Sequence, residues 1–183
     1  IFLLIALNYK EAVQTFGLKD AYLQGFSAFI LLGLTRVIDM GTGVNTQIIG
    51  TSTSWRFELI SGGILLTVML PLTYILARQF DIMGPALANL ISITIYNIIR
   101  IWFLWRKFRL FPFTIQSAYT VLLAAACYFF CYFAFVNVHG FNGLVIRTVV
   151  FILVYGGLLV YFRLSPDIIP VIDTLKKRLK FGK

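Results

Sequence analysis

The sequence predicts an all-α membrane protein, a polytopic transmembrane helix bundle, and three observations support this fold class. The 183 residues are 60% hydrophobic and only 13% charged. Mean hydropathy is +0.89, which lies far from the range of soluble globular domains. Long uncharged stretches recur along the chain, and about 20 apolar residues in a helix cross a ~30 Å hydrocarbon core.

The expected elements follow from these stretches in chain order. Residues 1–7, IFLLIAL, are too short to cross a bilayer and are expected to end a truncated helix, so the chain is expected to be a fragment. Residues 8–164 are expected to form the bundle, with Pro71 kinking its second whole span. Five whole spans are expected, at about residues 22–49, 57–77, 83–105, 117–137 and 144–162.

The distribution of Lys and Arg predicts how the bundle is oriented. Basic residues collect in WRKFRLFPF, after the third whole span, and in residues 165–183, whereas the turn VHGFNG has none. Cytoplasmic loops carry the excess of Lys and Arg, so the C-terminus is expected to be cytoplasmic. The basic tail at 165–183 is either an interfacial helix or a solvated segment. This distribution accounts for the net charge of +9 without a nucleic-acid partner.

The first whole span is unusual because it is polar in its middle. A continuous helix would place one stripe of residues on a single face and would point Asn45 elsewhere. Charges at this depth cost roughly 2.5–3.5 kcal/mol each, so they are expected to face protein or water, or to form a structural ion pair. The stripe consists of Arg36, Asp39, Gly43, Thr46, Gln47 and Gly50.

The third whole span carries a second stripe. It comprises Asn89, Ser92, Tyr96, Arg100 and Lys107, with Asn97 at its edge. Two interpretations of Arg100 remain open, namely that it lines a cavity or extends to the headgroups, whereas for Arg147 extension to the membrane surface is favoured.

Other residues give little sign of chemistry. Glu58 is interpreted as isolated, and Cys127 and Cys131 are interpreted as packing residues that share a helix face. Neither a catalytic residue nor a metal ligand is predicted.

Two polar stripes in an apolar bundle suggest a hydrated cavity of positive character. Arginine matches phosphate oxygens with a planar fork of donors, so an anionic lipid headgroup suits such a cavity. The stripes therefore favour transport or lipid handling.

Two segments also resemble a known family. The first segment, residues 38–52, reads IDMGTGVNTQIIGTS, and the second, residues 81–114, reads DIMGPALANLISITIYNIIRIWFLWRKFRLFPFT. Both resemble motifs of the polysaccharide flippases, which belong to the multidrug/oligosaccharidyl-lipid/polysaccharide exporter superfamily. The resemblance implies the C-terminal lobe of a two-lobe exporter fold, with the N-terminal lobe missing. It also implies translocation of undecaprenyl-diphosphate-linked oligosaccharide across the bacterial inner membrane for surface polysaccharide assembly.

The resemblance adds to the candidate site. Asp39, Gly43, Asn45, Gln47, Asn97 and Arg100 match motif positions, and Asp39 is a plausible site for a coupling ion, H⁺ or Na⁺. With the two stripes, the expected cavity-lining residues are Arg36, Asp39, Gly43, Asn45, Gln47, Asn89, Tyr96, Asn97 and Arg100. Membrane lipids are the other expected partners.

Three alternatives stay open. One is an ion-coupled drug exporter of the same superfamily, although its cavity would be more apolar or acidic than this one. Another is a membrane enzyme acting on polyprenyl-linked sugars, which generally needs several acids or histidines, whereas His139 is the chain's single histidine. The third is a purely structural membrane subunit.

Overall fold

A computed structural model describes residues 1–42, 44–111, 113, 115–136, 138 and 140–162, and every regular element in these ranges is an α-helix. The chain forms two compact units, the first containing the helices at Phe2–Thr15, Ile115–Ala134 and Gly140–Tyr161 and the second containing the helices between Ala21 and Phe108. The helices are α1 Phe2–Thr15, α2 Ala21–Gln24, α3 Phe26–Gly41, α4 Val44–Thr51, α5 Trp55–Phe80, α6 Met83–Phe108, α7 Ile115–Ala134 and α8 Gly140–Tyr161. The predicted tail at 165–183 lies outside the described residues.

Four of these helices, α5 to α8, are long and apolar enough to cross a membrane. They coincide with the predicted spans at 57–77, 83–105, 117–137 and 144–162. The all-α class and the assignment to an integral membrane protein are thereby confirmed. The count of five whole spans plus a truncated one stays a prediction.

The predicted span at 22–49 is divided into three helices, α2, α3 and α4. At its C-terminal end α3 is capped by Thr42, which leaves the helical conformation at φ −114°. The Thr42 hydroxyl oxygen lies 3.0 Å from the carbonyl oxygen of Asp39 and 3.3 Å from that of Ile38. With 16 residues, α3 is about 24 Å long, shorter than a ~30 Å hydrocarbon core.

Helix α1 continues well beyond residue 7, where the sequence analysis ended the truncated helix. It runs to Thr15 because its second half also has a buried face, which includes Glu11 and Val13. Residues 8–15, for which the sequence analysis named no helix, are therefore helical.

Helices α5 and α6 form an antiparallel hairpin. Asp81 makes the tight connection with a positive φ of 45°, and α5 continues through Pro71 without ending. Gly84 lies so close to α5 that an added Cβ would be 2.2 Å from the carbonyl oxygen of Leu76. Small residues at such positions let membrane helices approach closely, so Gly84 fixes the spacing of the hairpin near its connection.

The first unit has its own apolar core, formed by Leu7, Cys127, Cys131 and Phe151. Both cysteines are free and buried, at 3% and 0% exposure. They pack as small apolar side chains, as the sequence predicted.

Candidate functional site

Helix α6 carries a buried polar face although it is apolar enough to span a membrane. Ser92, Asn97 and Arg100 are all buried there, and Arg100 is only 3% exposed. Polar side chains at such depth need partners inside the protein. For Asn97 and for two nitrogens of Arg100, the structure supplies partners from α5, from α6 itself and from the end of α3.

Arg100 forms an ion pair with Glu58 of α5, in which the guanidinium is buried and the carboxylate is partly exposed. One guanidinium nitrogen donates to Glu58 Oε2 at 2.9 Å, and the other donates to the Tyr96 hydroxyl at 2.9 Å. The Tyr96 hydroxyl in turn donates to Glu58 Oε1 at 3.2 Å. The guanidinium also lies 4.7 Å from the centre of the Tyr96 ring. Glu58, Tyr96 and Arg100 are called the Arg100 cluster below.

Two features of the fold stabilise the carboxylate in this cluster. Glu58 lies in the first turn of α5, where the partial positive charge of the helix N-terminus favours an anion. It is 25% exposed, so it is less desolvated than its partner. Arg100 is consequently the more deeply buried charge, and Glu58 compensates it.

A second group, called the Asn97 cluster, joins α6 to the C-terminal end of α3. It consists of Asp39, Thr42 and Asn97. The Thr42 hydroxyl donates to Asn97 Oδ1 at 2.8 Å, and Asn97 Nδ2 donates to Asp39 Oδ1 at 3.5 Å. Thr42 and Asn97 are 3% and 2% exposed. The end of α3 is thus held against the middle of α6 by polar contacts.

Three buried side-chain atoms of the second unit keep unused hydrogen-bonding capacity. Within the described part of the chain, Asn45 Nδ2, Ser92 Oγ and Arg100 Nε have no hydrogen-bond partner. A buried polar group left unsatisfied costs about 1–3 kcal/mol. These atoms are therefore suited to bind water or a polar ligand inside the second unit.

Beyond the clusters, the predicted site residues of α3 and α4 are dispersed. Arg36 is exposed, and over the described ranges it forms no ion pair with Asp39, which is half-buried. Asn45 is buried at 3% exposure although the helical wheel pointed it away from the stripe, whereas Gln47 is exposed. The break after Gly41 changes the angular register, so a wheel through residues 22–49 does not apply. Gly43 lies outside the described residues.

The polar residues that were predicted to share one face of α6 lie on a single unbroken helix. Tyr96, Asn97 and Arg100 come together on one side of the helix, and Asn89 is half-buried roughly two turns before Asn97. Of the two interpretations of Arg100, the structure supports a buried interior position and not extension to the headgroups.

Sequence reasoning treated Glu58 as isolated from other acids and did not identify it as the partner of Arg100. The helical pattern alone does not show this contact, since it joins two different helices. A usable signal existed: an antiparallel α5–α6 hairpin places the first turn of α5 and the last third of α6 at the same end.

Further contacts, which the sequence analysis did not identify, join the start of α5 to the C-terminal part of α6. The Lys107 ammonium donates to the Ser54 hydroxyl. The rings of Phe57 and Phe103 stack with centres 3.8 Å apart and an interplanar angle of 8°. These contacts hold α5 and α6 together beside the Arg100 cluster.

In the first unit, Arg147 has a structural role, and its predicted extension to the membrane surface was wrong. It is 8% exposed and donates to the carbonyl oxygens of Phe135 at 2.9 Å and Val138 at 2.6 Å. It also lies 3.5 Å from the carboxylate of Glu11, which accepts from the Gly140 amide at 2.5 Å. The pair ties α1 to the connection between α7 and α8. His139, in that connection, lies outside the described residues.

Among the described residues, no group of three His, Cys, Asp or Glu side chains is placed so that it could hold a metal ion. No family model, curated protein or solved structure matches this chain.

Proposed function

We propose that this chain is part of a membrane flippase that moves undecaprenyl-diphosphate-linked oligosaccharide across the bacterial inner membrane for surface polysaccharide assembly. The observation that carries the proposal is the buried guanidinium of Arg100, held in a helix apolar enough to span a membrane. An ionisable side chain in such a helix is by default a candidate functional residue. The resemblance of residues 38–52 and 81–114 to flippase motifs also supports it.

The chemistry of the Arg100 cluster suits a diphosphate. The guanidinium already binds one carboxylate and one hydroxyl, and a phosphate group offers the same kind of acceptor with more charge. In the proposed cycle, a phosphate oxygen replaces the Glu58 carboxylate as the partner of Arg100. Asp39, which the resemblance suggests as the site of a coupling ion, H⁺ or Na⁺, contacts Asn97 on the same helix as Arg100.

The proposal includes two further elements. The N-terminal lobe of the same protein completes the cavity, and the C-terminus faces the cytoplasm, where the basic residues of the tail collect. Among the cavity-lining candidates, Asn97 lies on α6 three residues before Arg100 and contacts Asp39, and Asn45 is buried in the same unit.

Headgroup binding gives the most direct test. The purified chain is titrated with undecaprenyl diphosphate and, in parallel, with undecaprenol, which has the same tail without the phosphates. We expect retention of the diphosphate only, with at least a tenfold loss in R100Q, because one charge-assisted phosphate contact is worth about 1.5–3 kcal/mol. The matched control is R56Q, since Arg56 is an exposed arginine at the start of α5.

Equal binding of the two lipids, or an R100Q variant that binds as the wild type does, would contradict the proposal. Transport is then measured with the complete encoded protein in proteoliposomes. A drug exporter would instead be indicated by uptake of organic cations, and an enzyme by turnover of a polyprenyl-diphosphate sugar.

A further inference from the structure

Away from the two polar clusters, the end of α6 carries a groove of about 310 Å³ lined by Trp102, Trp105, Arg106 and Arg109. All four residues lie within the last two turns of the helix or at its cap. Both indoles are half exposed, at 52% and 53%. Both arginines are exposed as well, so the groove is open to its surroundings.

Among the described residues, no carboxylate compensates the charge of this groove. Over the described ranges, no carboxylate forms an ion pair with Arg106 or Arg109. The Arg106 guanidinium lies 5.4 Å from the centre of the Trp102 ring, within the range of a cation–π interaction. Two guanidinium groups therefore remain available to an anion.

The backbone at this helix end is compatible with an anion. Helix C-termini normally repel negative charge because their last carbonyl groups are unpaired. Here Arg109 adopts the left-handed conformation at φ 56°. Its amide donates to the Trp105 carbonyl at 3.1 Å, and the Leu110 amide donates to the Leu104 carbonyl at 3.4 Å. The cap thus reduces the repulsion that an anion would meet.

The indoles identify the surroundings of the groove. Tryptophan is enriched at the level of the lipid headgroups, where one end of its ring is apolar and the other is hydrated. Helix α6 is apolar enough to span the membrane, and the two indoles lie at the end where its basic residues collect. A lipid phosphate at this depth would meet both guanidinium groups, while its acyl chains would run along the indoles.

We propose that the groove formed by Trp102, Trp105, Arg106 and Arg109 binds the phosphate headgroup of an anionic phospholipid of the bilayer. The charge of the groove and its position at the end of a membrane-spanning helix favour this ligand over a soluble anion. This site is separate from the Arg100 cluster and does not depend on the proposed transport function.

Tryptophan fluorescence provides the test because the chain contains three tryptophans. Replacing Trp55 with Phe leaves indoles only in the groove. The W55F chain is reconstituted into vesicles in which a fixed mole fraction of either phosphatidylglycerol or phosphatidylcholine carries brominated acyl chains that quench indole. We expect stronger quenching by brominated phosphatidylglycerol, with a local enrichment of about fivefold for each contributing arginine.

Single variants distinguish a site from diffuse attraction to a charged surface. R106Q and R109Q in the W55F background should each lower the phosphatidylglycerol preference by about fivefold. R56Q removes the same charge from an exposed position at the same end of the hairpin and should leave the preference unchanged. Unchanged quenching by brominated phosphatidylcholine shows that each variant is inserted normally.

Four results would overturn the proposal. Equal quenching by the two lipids would mean that the headgroup is not recognised, and an equal effect of R56Q would mean that only surface charge matters. Loss of the preference with millimolar inorganic phosphate would assign the groove to a soluble anion. Loss of the preference with a trace of undecaprenyl diphosphate would assign it to the transported lipid.

Discussion

The ion pair between Glu58 and Arg100 gives the sharpest quantitative prediction. The change is E58Q, which keeps the size of the side chain and one acceptor but removes the negative charge. Arg100, at 3% exposure, then keeps the Tyr96 hydroxyl at 2.9 Å but loses its anionic partner. Removing one member of a fully buried pair costs roughly 3–5 kcal/mol.

The structure lowers this estimate, because Glu58 is 25% exposed and surface pairs are worth only about 0–1 kcal/mol. We therefore expect E58Q to reduce the free energy of unfolding by about 2–3 kcal/mol. R100M should also be destabilising. The double variant E58Q/R100M should cost about 2 kcal/mol less than the sum of the two single changes, because it leaves no unpaired charge.

The assay is reversible unfolding of the purified chain by SDS in mixed micelles, followed by far-ultraviolet circular dichroism. R56M is the matched control, since Arg56 is exposed and its replacement should change stability by less than about 0.5 kcal/mol. Additive effects of E58Q and R100M would refute the reasoning, because they would mean that the two charges do not interact.

Three further predictions use the same unfolding assay. G84A should destabilise the chain by at least about 1–3 kcal/mol, because the added Cβ would lie 2.2 Å from the carbonyl oxygen of Leu76. G63A, which has open space around the added Cβ, should be neutral or stabilising. T42V should cost about 1 kcal/mol through loss of the bond to Asn97, and T67V on the exposed face of α5 should cost less. R147Q should destabilise the first unit by about 3 kcal/mol, since two carbonyl contacts and the Glu11 partner are lost together. Wild-type stability in T42V or R147Q, or equal stability of G84A and G63A, would contradict the corresponding contact.

Much of the membrane architecture could be predicted from hydropathy. Helices α5 to α8 coincide with four predicted spans. A helix satisfies its own backbone hydrogen bonds in the membrane, so an apolar run of sufficient length is enough to predict a span. The polar face of α6 was also predictable, since a continuous helix turns by a constant angle per residue.

The candidate site was predicted less completely. The face containing Arg36 and Asp39 was derived for an unbroken helix, and the break at Thr42 separates it from the residues of α4. Nothing in the periodicity of that segment indicates where a threonine cap ends the helix. The partners of Arg100 and Arg147 were missed because each carboxylate lies on another helix.

By itself, the sequence determined that this chain is a helical membrane protein and which face of α6 is polar, because hydropathy and helical periodicity are local properties. Only the tertiary structure decided that Glu58 neutralises Arg100, that Asn97 binds the end of α3, and that Arg147 and Glu11 hold α1 to the α7–α8 connection. These are contacts between helices distant in the chain. Their geometry depends on how closely the helices pack, which composition and spacing do not specify.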